Sequence, residues 1–226
     1  IIDHQIDANF FGNLYKINAN IALNLYKSYL NSLCKNLKAI GININTIPVL
    51  DVLRKNTNKI IGKRGFSQNE KVVKLLGEKA INQCHLNNIA TVIKHIPGHG
   101  CSTIDSHLSL PKVNIGLGDL NKKDFYPFKI SSAKLAMTAH ILYKKIDSKN
   151  VSTFSKKVIK NIIRKKIGFR GILMSDDISM KALKYDLVTN AKKSLTAGCN
   201  IVLYCAGNIK DNFKLIKSVP YIDQFT

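Results

Sequence analysis

The sequence predicts an α/β protein whose parallel βα units wrap toward a barrel, and three observations carry that expectation. Five short apolar runs alternate with longer amphipathic ones, the order that parallel βαβ units require. The apolar runs are nearly continuous rather than alternating, as in strands covered on both faces. Polar residues gather where several of these runs end: Asp51, Lys94 with His95, His140, and Asp176 with Asp177. In a barrel such strand ends converge on one site from all sides, whereas an open doubly wound sheet uses only the crevice at its switch point.

The elements follow in chain order. Residues 18–40 read as a helix with Ile21, Leu25, Leu33 and Leu37 on its apolar face and Gly41 placed to end it. A strand-like run covers 42–49 and leads into Leu50-Asp51-Val52. Ser67 and Glu70 have capping-box spacing and open a second helix reaching Leu86. The run 89–93 is the next strand and passes into Lys94-His95-Ile96-Pro97-Gly98-His99-Gly100. Residues 135–140 form a third strand ending in His140, and a helix over 155–166 closes at Gly168. The run 171–174 ends in Ser175-Asp176-Asp177; a helix over 187–197 leads to a fifth strand over 200–205 and a last helix near 208–217. No GxGxxG or GxxxxGK[ST] follows any strand, which removes the nucleotide-binding versions of such a sheet.

Composition bounds the function. The chain has 226 residues and 25.2 kDa, is 45% hydrophobic and 22% charged, and has enough apolar mass for a full core. No apolar run is long enough to span a membrane. The first residues have neither a basic nor an apolar leader region, so no signal peptide is expected there, and no initiating Met is present. The net charge of +21 suggests nucleic acid, but 31 Lys stand against 4 Arg and are scattered along the chain. With 23 Asn and 30 Ile, that bias fits an A+T-rich coding sequence, so solvated lysines and no nucleic-acid partner are expected. Five cysteines, an odd number without CxxC spacing, fit a reducing cytoplasm.

Four of the six histidines, His95, His99, His107 and His140, fall at strand ends or in the loop between them. Singly each reads as a hydrogen-bonded structural residue; together, beside Pro97, Gly98 and Gly100, they point to a site. Pro97 and Gly98 separate His95 from His99, so this is not a helical zinc pair. A metal-dependent hydrolase using His95, His107, His140 and an Asp is the alternative reading. Asp105 lies two residues before His107, and a carboxylate holding one ring nitrogen raises the basicity of the other; locally the same pattern is an Asx-turn. Adjacent strand-end carboxylates point in different directions, so one of Asp176 and Asp177 enters the mouth while the other caps or supports.

Taken together, IPVLDV (47–52), IIGKRGF (60–66), VIKHIPGHG (92–100), DSH (105–107), AMTAH (136–140), GILMSDDISMKAL (171–183) and AGCNIVLYC (197–205) resemble the bacterial β-N-acetylhexosaminidases of glycoside hydrolase family 3, the peptidoglycan-recycling type. KHIPGHG with DSH, followed about seventy residues on by SDDISMKAL, is the specific part of the match. The resemblance implies a (β/α)8 TIM barrel and a retaining hydrolase acting through a covalent glycosyl-enzyme. It implies Asp176 as nucleophile, His107 as general acid/base and Asp105 as its partner. Arg64, Lys94 and His95 would hold N-acetylglucosamine hydroxyls, with Met137 and His140 lining the sugar pocket. A His in the acid/base role suits a chain whose two glutamates, Glu70 and Glu78, sit together on a helix.

The implied substrate is a terminal β-linked N-acetylglucosamine on anhydro-muropeptides, cleaved in the cytoplasm by a monomer without metal or other cofactor. The family barrel has eight strands and five are counted here; a DQEGGR-like segment, whose Asp and Arg also bind the sugar, has no counterpart. The expectation is therefore one barrel domain over 1–226, N-terminally incomplete relative to the family. It would be a fragment, an inactive relic, or a chain whose barrel a second copy completes.

Overall fold

The computed structural model describes residues 6–130 and 132–226; residues 1–5, on which the reading of a missing leader rests, lie outside them. In chain order the strands are β1 (Ile44–Asn45), β2 (Ala90–Ile96), β3 (Lys112–Val113), β4 (Leu135–Thr138), β5 (Leu142–Tyr143), β6 (Ile172–Asp177) and β7 (Ile201–Leu203). The α-helices are α1 (Ala8–Ile17), α2 (Ala19–Ala39), α3 (Glu70–Leu86), α4 (Leu117–Lys122), α5 (Leu187–Ala197) and α6 (Ile209–Ser218), with a π-helix over Val158–Ile167.

Five strands form one sheet in the order β1-β2-β4-β6-β7, every pair parallel, with helices between successive strands. This is a half-barrel, and its five strands are the five apolar runs of the sequence. The sheet is open: β1 and β7 each have one strand neighbour, and their residues Ile44 and Ile201 are exposed. Register shifts interrupt β2/β4 between Ile93 and Ile96, and β6/β7 between Met174 and Asp177. Both irregularities fall at strand C-termini, where a bulge re-aims side chains. The small β3/β5 pair, α1 and α4 were not visible in the sequence pattern; two-residue strands have no periodicity to detect.

Polar side chains set the helix starts. Asp7 accepts from the Phe10 amide, Asn18 from Ile21, Asp186 from Thr189 and Asn208 from Lys210 and Asp211, satisfying amides that the helix leaves unpaired. For α3 the cap is Asn69, not Ser67. The Ser67 carbonyl accepts from the Leu53 amide, which keeps that residue extended against the segment leaving β1, while its hydroxyl accepts from the Asn69 amide. Gly168 and Gly198 end their helices at φ of 84° and 119°, in the left-handed region that suits glycine.

The apolar face expected for α2 is rotated. Ala22, Tyr26, Leu30 and Cys34 are the buried residues, while Ile21 is 56% and Leu25 41% exposed. The reason is aromatic: Tyr26 packs on Phe11 of α1 at 4.5 Å between ring centroids and edge-on to Phe66 at 5.8 Å. Rings of that size outweigh the aliphatic residues one position back. The core continues through Leu50, Leu76, Ile93, Ile96, Phe125 and Leu173. All five thiols are free, and Cys34 and Cys84 sit 3.7 Å apart, sulfur to sulfur, inside the core.

Candidate active site

The site is built at the C-terminal ends of β1, β2, β4 and β6. After β1 the chain stays beside β2: Val49 pairs with Lys94, and the Leu50 amide donates to the Lys94 carbonyl at 2.7 Å. That pairing delivers Asp51, fully buried, beneath the turn that follows β2. One Asp51 oxygen accepts from the His99 amide at 2.6 Å and the His95 amide at 3.3 Å; the other accepts from His95 Nδ1 at 2.7 Å. Burial alone would raise this carboxyl, but the His95 charge and hydrogen bond, with those from His99, hold it below its ordinary value.

With Nδ1 committed to Asp51, the His95 ring presents Nε2 to Asp176, 4.0 Å from Oδ2. Asp176 is largely buried at the end of β6, and its Oδ1 accepts from the Asp177 amide. Burial pushes its carboxyl up, and the charges of His95, His140 and Lys94 with the Asp177 amide outweigh that, so it is held ionised. Lys94 is pushed down by burial and by Arg64 against the pull of Asp176 and Asp51, and its Nζ donates to Thr46 Oγ1 at 3.0 Å. Arg64 is exposed, donating to the Ile60 carbonyl at 3.1 Å. Arg64 and Lys94 share the rim of a cavity of about 360 Å³ lined by Phe11, Tyr26, Ile47 and Val49.

His140, expected to line the sugar pocket, is turned into the protein. It is fully buried, with Nδ1 2.7 Å from Thr153 Oγ1 and Nε2 donating to the Asp177 carbonyl at 3.0 Å. The Asp176 amide donates to Thr138 Oγ1, which lies 2.8 Å from Thr153 Oγ1, so a relay runs from Asp176 through Thr138, Thr153 and His140 back to Asp177. Burial lowers the His140 pKa against the opposing pull of Asp176 and Asp177. A buried imidazole must satisfy both nitrogens, and here the protein does so. Met137 is also buried, at 3% exposure in β4, in register with Met174.

The two adjacent carboxylates divide as their directions require. Asp176 faces His95, while Asp177 accepts from Ser179 and from the Cys205 amide, tying β6 to the segment after β7. The Asp105–His107 pair forms as expected: Asp105 Oδ1 accepts from His107 Nδ1 and from the His107 amide, both at 2.8 Å. The dyad and the Asx-turn are thus one structure. Hydrogen bonds from His107, with its charge, overcome the slight effect of burial and lower the Asp105 carboxyl. His107 is 55% exposed, with Nε2 free, and makes no hydrogen bond or ion pair to Asp176, Lys94 or His95.

The turn between these parts is closely packed. Gly100 lies where a Cβ would meet the Val52 carbonyl oxygen at 1.9 Å, and Thr57 Oγ1 donates to the Gly100 carbonyl at 2.6 Å. Tyr143 donates to the Gly98 carbonyl, and Asp124, buried and paired with Arg54, packs against Gly98. Sequence reasoning named Asp51 and His99 among the strand-end and histidine groups without giving either a role, and it did not single out Thr153 or the Arg54–Asp124 pair. A carboxylate closing an otherwise apolar run was the signal for Asp51; Arg54 and Asp124 are seventy residues apart, with no local signal.

His95 Nδ1 is held by Asp51, both His140 nitrogens are taken, and no group of three or more His, Cys, Asp or Glu among the described residues could hold an ion.

An open parallel β/α half-barrel with an ionised carboxylate, a lysine and an oriented imidazole at its strand ends is a barrel-type α/β domain with its site on the C-terminal face. The model of the glycosyl hydrolase family 3 N-terminal domain matches residues 12–222, and the chain belongs to that family. It is 34% identical over 199 residues to a beta-hexosaminidase of Nitrosomonas eutropha, covering 86% of this chain and 57% of the relative. Among solved structures it is similar to NagZ from Neisseria gonorrhoeae in complex with N-trifluoroacetyl-D-glucosamine: TM-score 0.86, 31% identity, 96% of this chain and 64% of that one. NagZ from Neisseria gonorrhoeae in complex with zinc ion has a TM-score of 0.84 at 28% identity, over 96% of this chain and 63% of that one. The chain thus spans less than two thirds of the length of these proteins. No described helix is long and apolar enough to cross a membrane.

Proposed function

We propose that this chain carries the glycone-binding and catalytic residues of a retaining β-N-acetylglucosaminidase that removes terminal β-linked N-acetylglucosamine from anhydro-muropeptides. The observation that carries the reading is the Asp51–His95–Asp176 line. A buried carboxylate sets the imidazole, and the imidazole faces a second carboxylate that its environment keeps ionised. An ionised, largely buried carboxylate at a barrel strand end is what a glycosyl nucleophile must be. The N-trifluoroacetyl-D-glucosamine complex of the similar Neisseria gonorrhoeae NagZ and the family membership support the substrate class.

Asp176 Oδ attacks the anomeric carbon while His107 Nε2–H delivers its proton to the departing glycosidic oxygen, giving a glycosyl-aspartate and the released alcohol. A water then gives its proton to His107 Nε2 and its oxygen to the anomeric carbon, which frees Asp176. Asp105 holds Nδ1–H throughout and stabilises the ring whenever it is charged. Lys94, His95 and Arg64 supply donors to the sugar hydroxyls, oriented by Thr46, Asp51 and the Ile60 carbonyl. The enzyme acts in the cytoplasm, as a monomer and without a cofactor.

The test is hydrolysis of a chromogenic β-N-acetylglucosaminide by the purified chain, with and without chelator. Chelator-resistant turnover is expected. Turnover abolished by chelation would replace this reading with the metal-dependent one, and none at all would mark the chain as inactive alone.

A further inference from the structure

In the loop that carries the dyad, one buried residue lies between a half-buried Asp105 and an exposed His107. Ser106, between them, is 3% exposed, while His107 is 55%. Among the described residues, every hydrogen bond that leaves the stretch 105–109 for the rest of the chain runs through Ser106. Its hydroxyl lies 3.2 Å from His99 Nε2, and its carbonyl accepts from the Ala182 amide at 3.2 Å. The other bonds of that stretch are internal: Asp105 with His107, and the Leu108 and Ser109 amides with the Asp105 carbonyl.

His99 belongs to the closely packed turn after β2. Its amide donates to Asp51 Oδ1, and its ring sits edge-on to His95 with centroids 5.7 Å apart. It is 2% exposed, and among the described residues its Nδ1 is buried with no partner and the Ser106 hydroxyl is the one hydrogen-bond partner of the ring. Burial first, and the His95 charge second, push the His99 pKa down to about 4, so the ring is neutral near pH 7. Ala182 follows Asp176 by six residues, in the turn leaving β6. Ser106 is therefore fastened at once to the turn that sets His95 and to the segment leaving the nucleophile's strand.

We infer that Ser106 and His99 form a latch that positions the Asp105–His107 dyad relative to Asp176, with Ser106 and His99 as positioning residues that touch no substrate. The inference rests on the acid/base reading of His107, but the latch has a readout that needs no turnover. Losing one buried hydrogen bond should raise amide exchange of the loop by about three- to tenfold.

The experiment compares Ser106→Ala, His99→Leu, His99→Gln and His107→Ala in the full chain. Hydrogen–deuterium exchange at 104–109 is measured together with kcat and KM for two β-N-acetylglucosaminides, one with a dinitrophenyl and one with an alkyl leaving group. Exchange confined to the loop should rise in Ser106→Ala and His99→Leu. His99→Gln, whose amide nitrogen replaces Nε2, should stay near wild type. In Ser106→Ala, kcat should fall about three- to tenfold for the alkyl substrate, in step with the exchange. It should hold for the dinitrophenyl one, with KM unchanged in both.

Unchanged exchange, or a rise spread over β2 and β6, would overturn the latch. So would equal kcat losses on both substrates in Ser106→Ala while His107→Ala separates them. If His107→Ala fails to separate them, the acid/base reading falls instead, and the exchange result alone decides the latch.

Discussion

Replacing Asp51 with Ala removes a carboxylate that has no solvent exposure and accepts three hydrogen bonds, two of them from backbone amides. The His95 ring would be left buried against an empty acceptor, and the His95 and His99 amides would lose their partner. Breaking a buried pair from one side costs about 3–5 kcal/mol, which for a chain of this size lowers Tm by roughly 6–20 °C. Asp51→Asn keeps one acceptor oxygen, and its cost should be about 1–3 kcal/mol.

The pH dependence has a defined sign. Asp51 titrates below its ordinary 3.8 in the folded protein, so its contribution is fully present above that pH and is lost as pH falls through the lower folded value. The wild-type advantage over Asp51→Ala in thermal unfolding followed by circular dichroism should therefore be large at pH 7 and shrink below pH 3.8. A Tm loss under about 2 °C, or a gap that widens on acidification, would refute the buried-pair argument.

Other predictions follow from the same geometry. Asp176→Ala should cut turnover by about 10⁴-fold or more and prevent covalent labelling by a 2-fluoro sugar; labelling at the wild-type level would remove Asp176 from the nucleophile's role. His140→Phe should lower stability by about 1–3 kcal/mol, because the Asp177 carbonyl and Thr153 hydroxyl lose their shared partner; an unchanged Tm would show that the relay contributes nothing. Gly100→Ala should yield little folded protein, since the added Cβ meets the Val52 carbonyl oxygen at 1.9 Å; a soluble variant with wild-type melting would mean that the turn can shift.

Much of the fold was legible because its signals are local. β2, β4, β6 and β7 each begin in a largely apolar run, whereas β1 (Ile44–Asn45) lies in an Ile/Asn alternation, and Gly168 ends its helix from within its own segment. The family resemblance was legible too, since its motifs are short strings at strand ends. The face of α2 was not, because Ile21 and Leu25 fit the period as well as Ala22 and Tyr26 do, and the choice depends on Phe11 and Phe66 arriving from elsewhere in the chain. The cap of α3 moved from Ser67 to Asn69 for a similar reason: Leu53 holds Ser67 extended.

The candidate site divides along the same line. Sequence alone placed Asp176, His95, Lys94, Asp105 and His107, because catalytic side chains in a parallel barrel must sit at strand ends and in the loops that follow. It also gave Asp176 and Asp177 different directions, since neighbours on a strand face opposite ways, and the family resemblance chose Asp176 for the mouth. Tertiary structure alone decided that Asp51 governs the His95 ring, that His140 braces the strand end, and that Ser106 is the anchor of the dyad loop. Each of those roles is a hydrogen bond between segments far apart in the chain. Such partners carry no mutual pattern in the sequence; only packing the strands side by side brings their polar groups within about 3 Å, where one can satisfy the other.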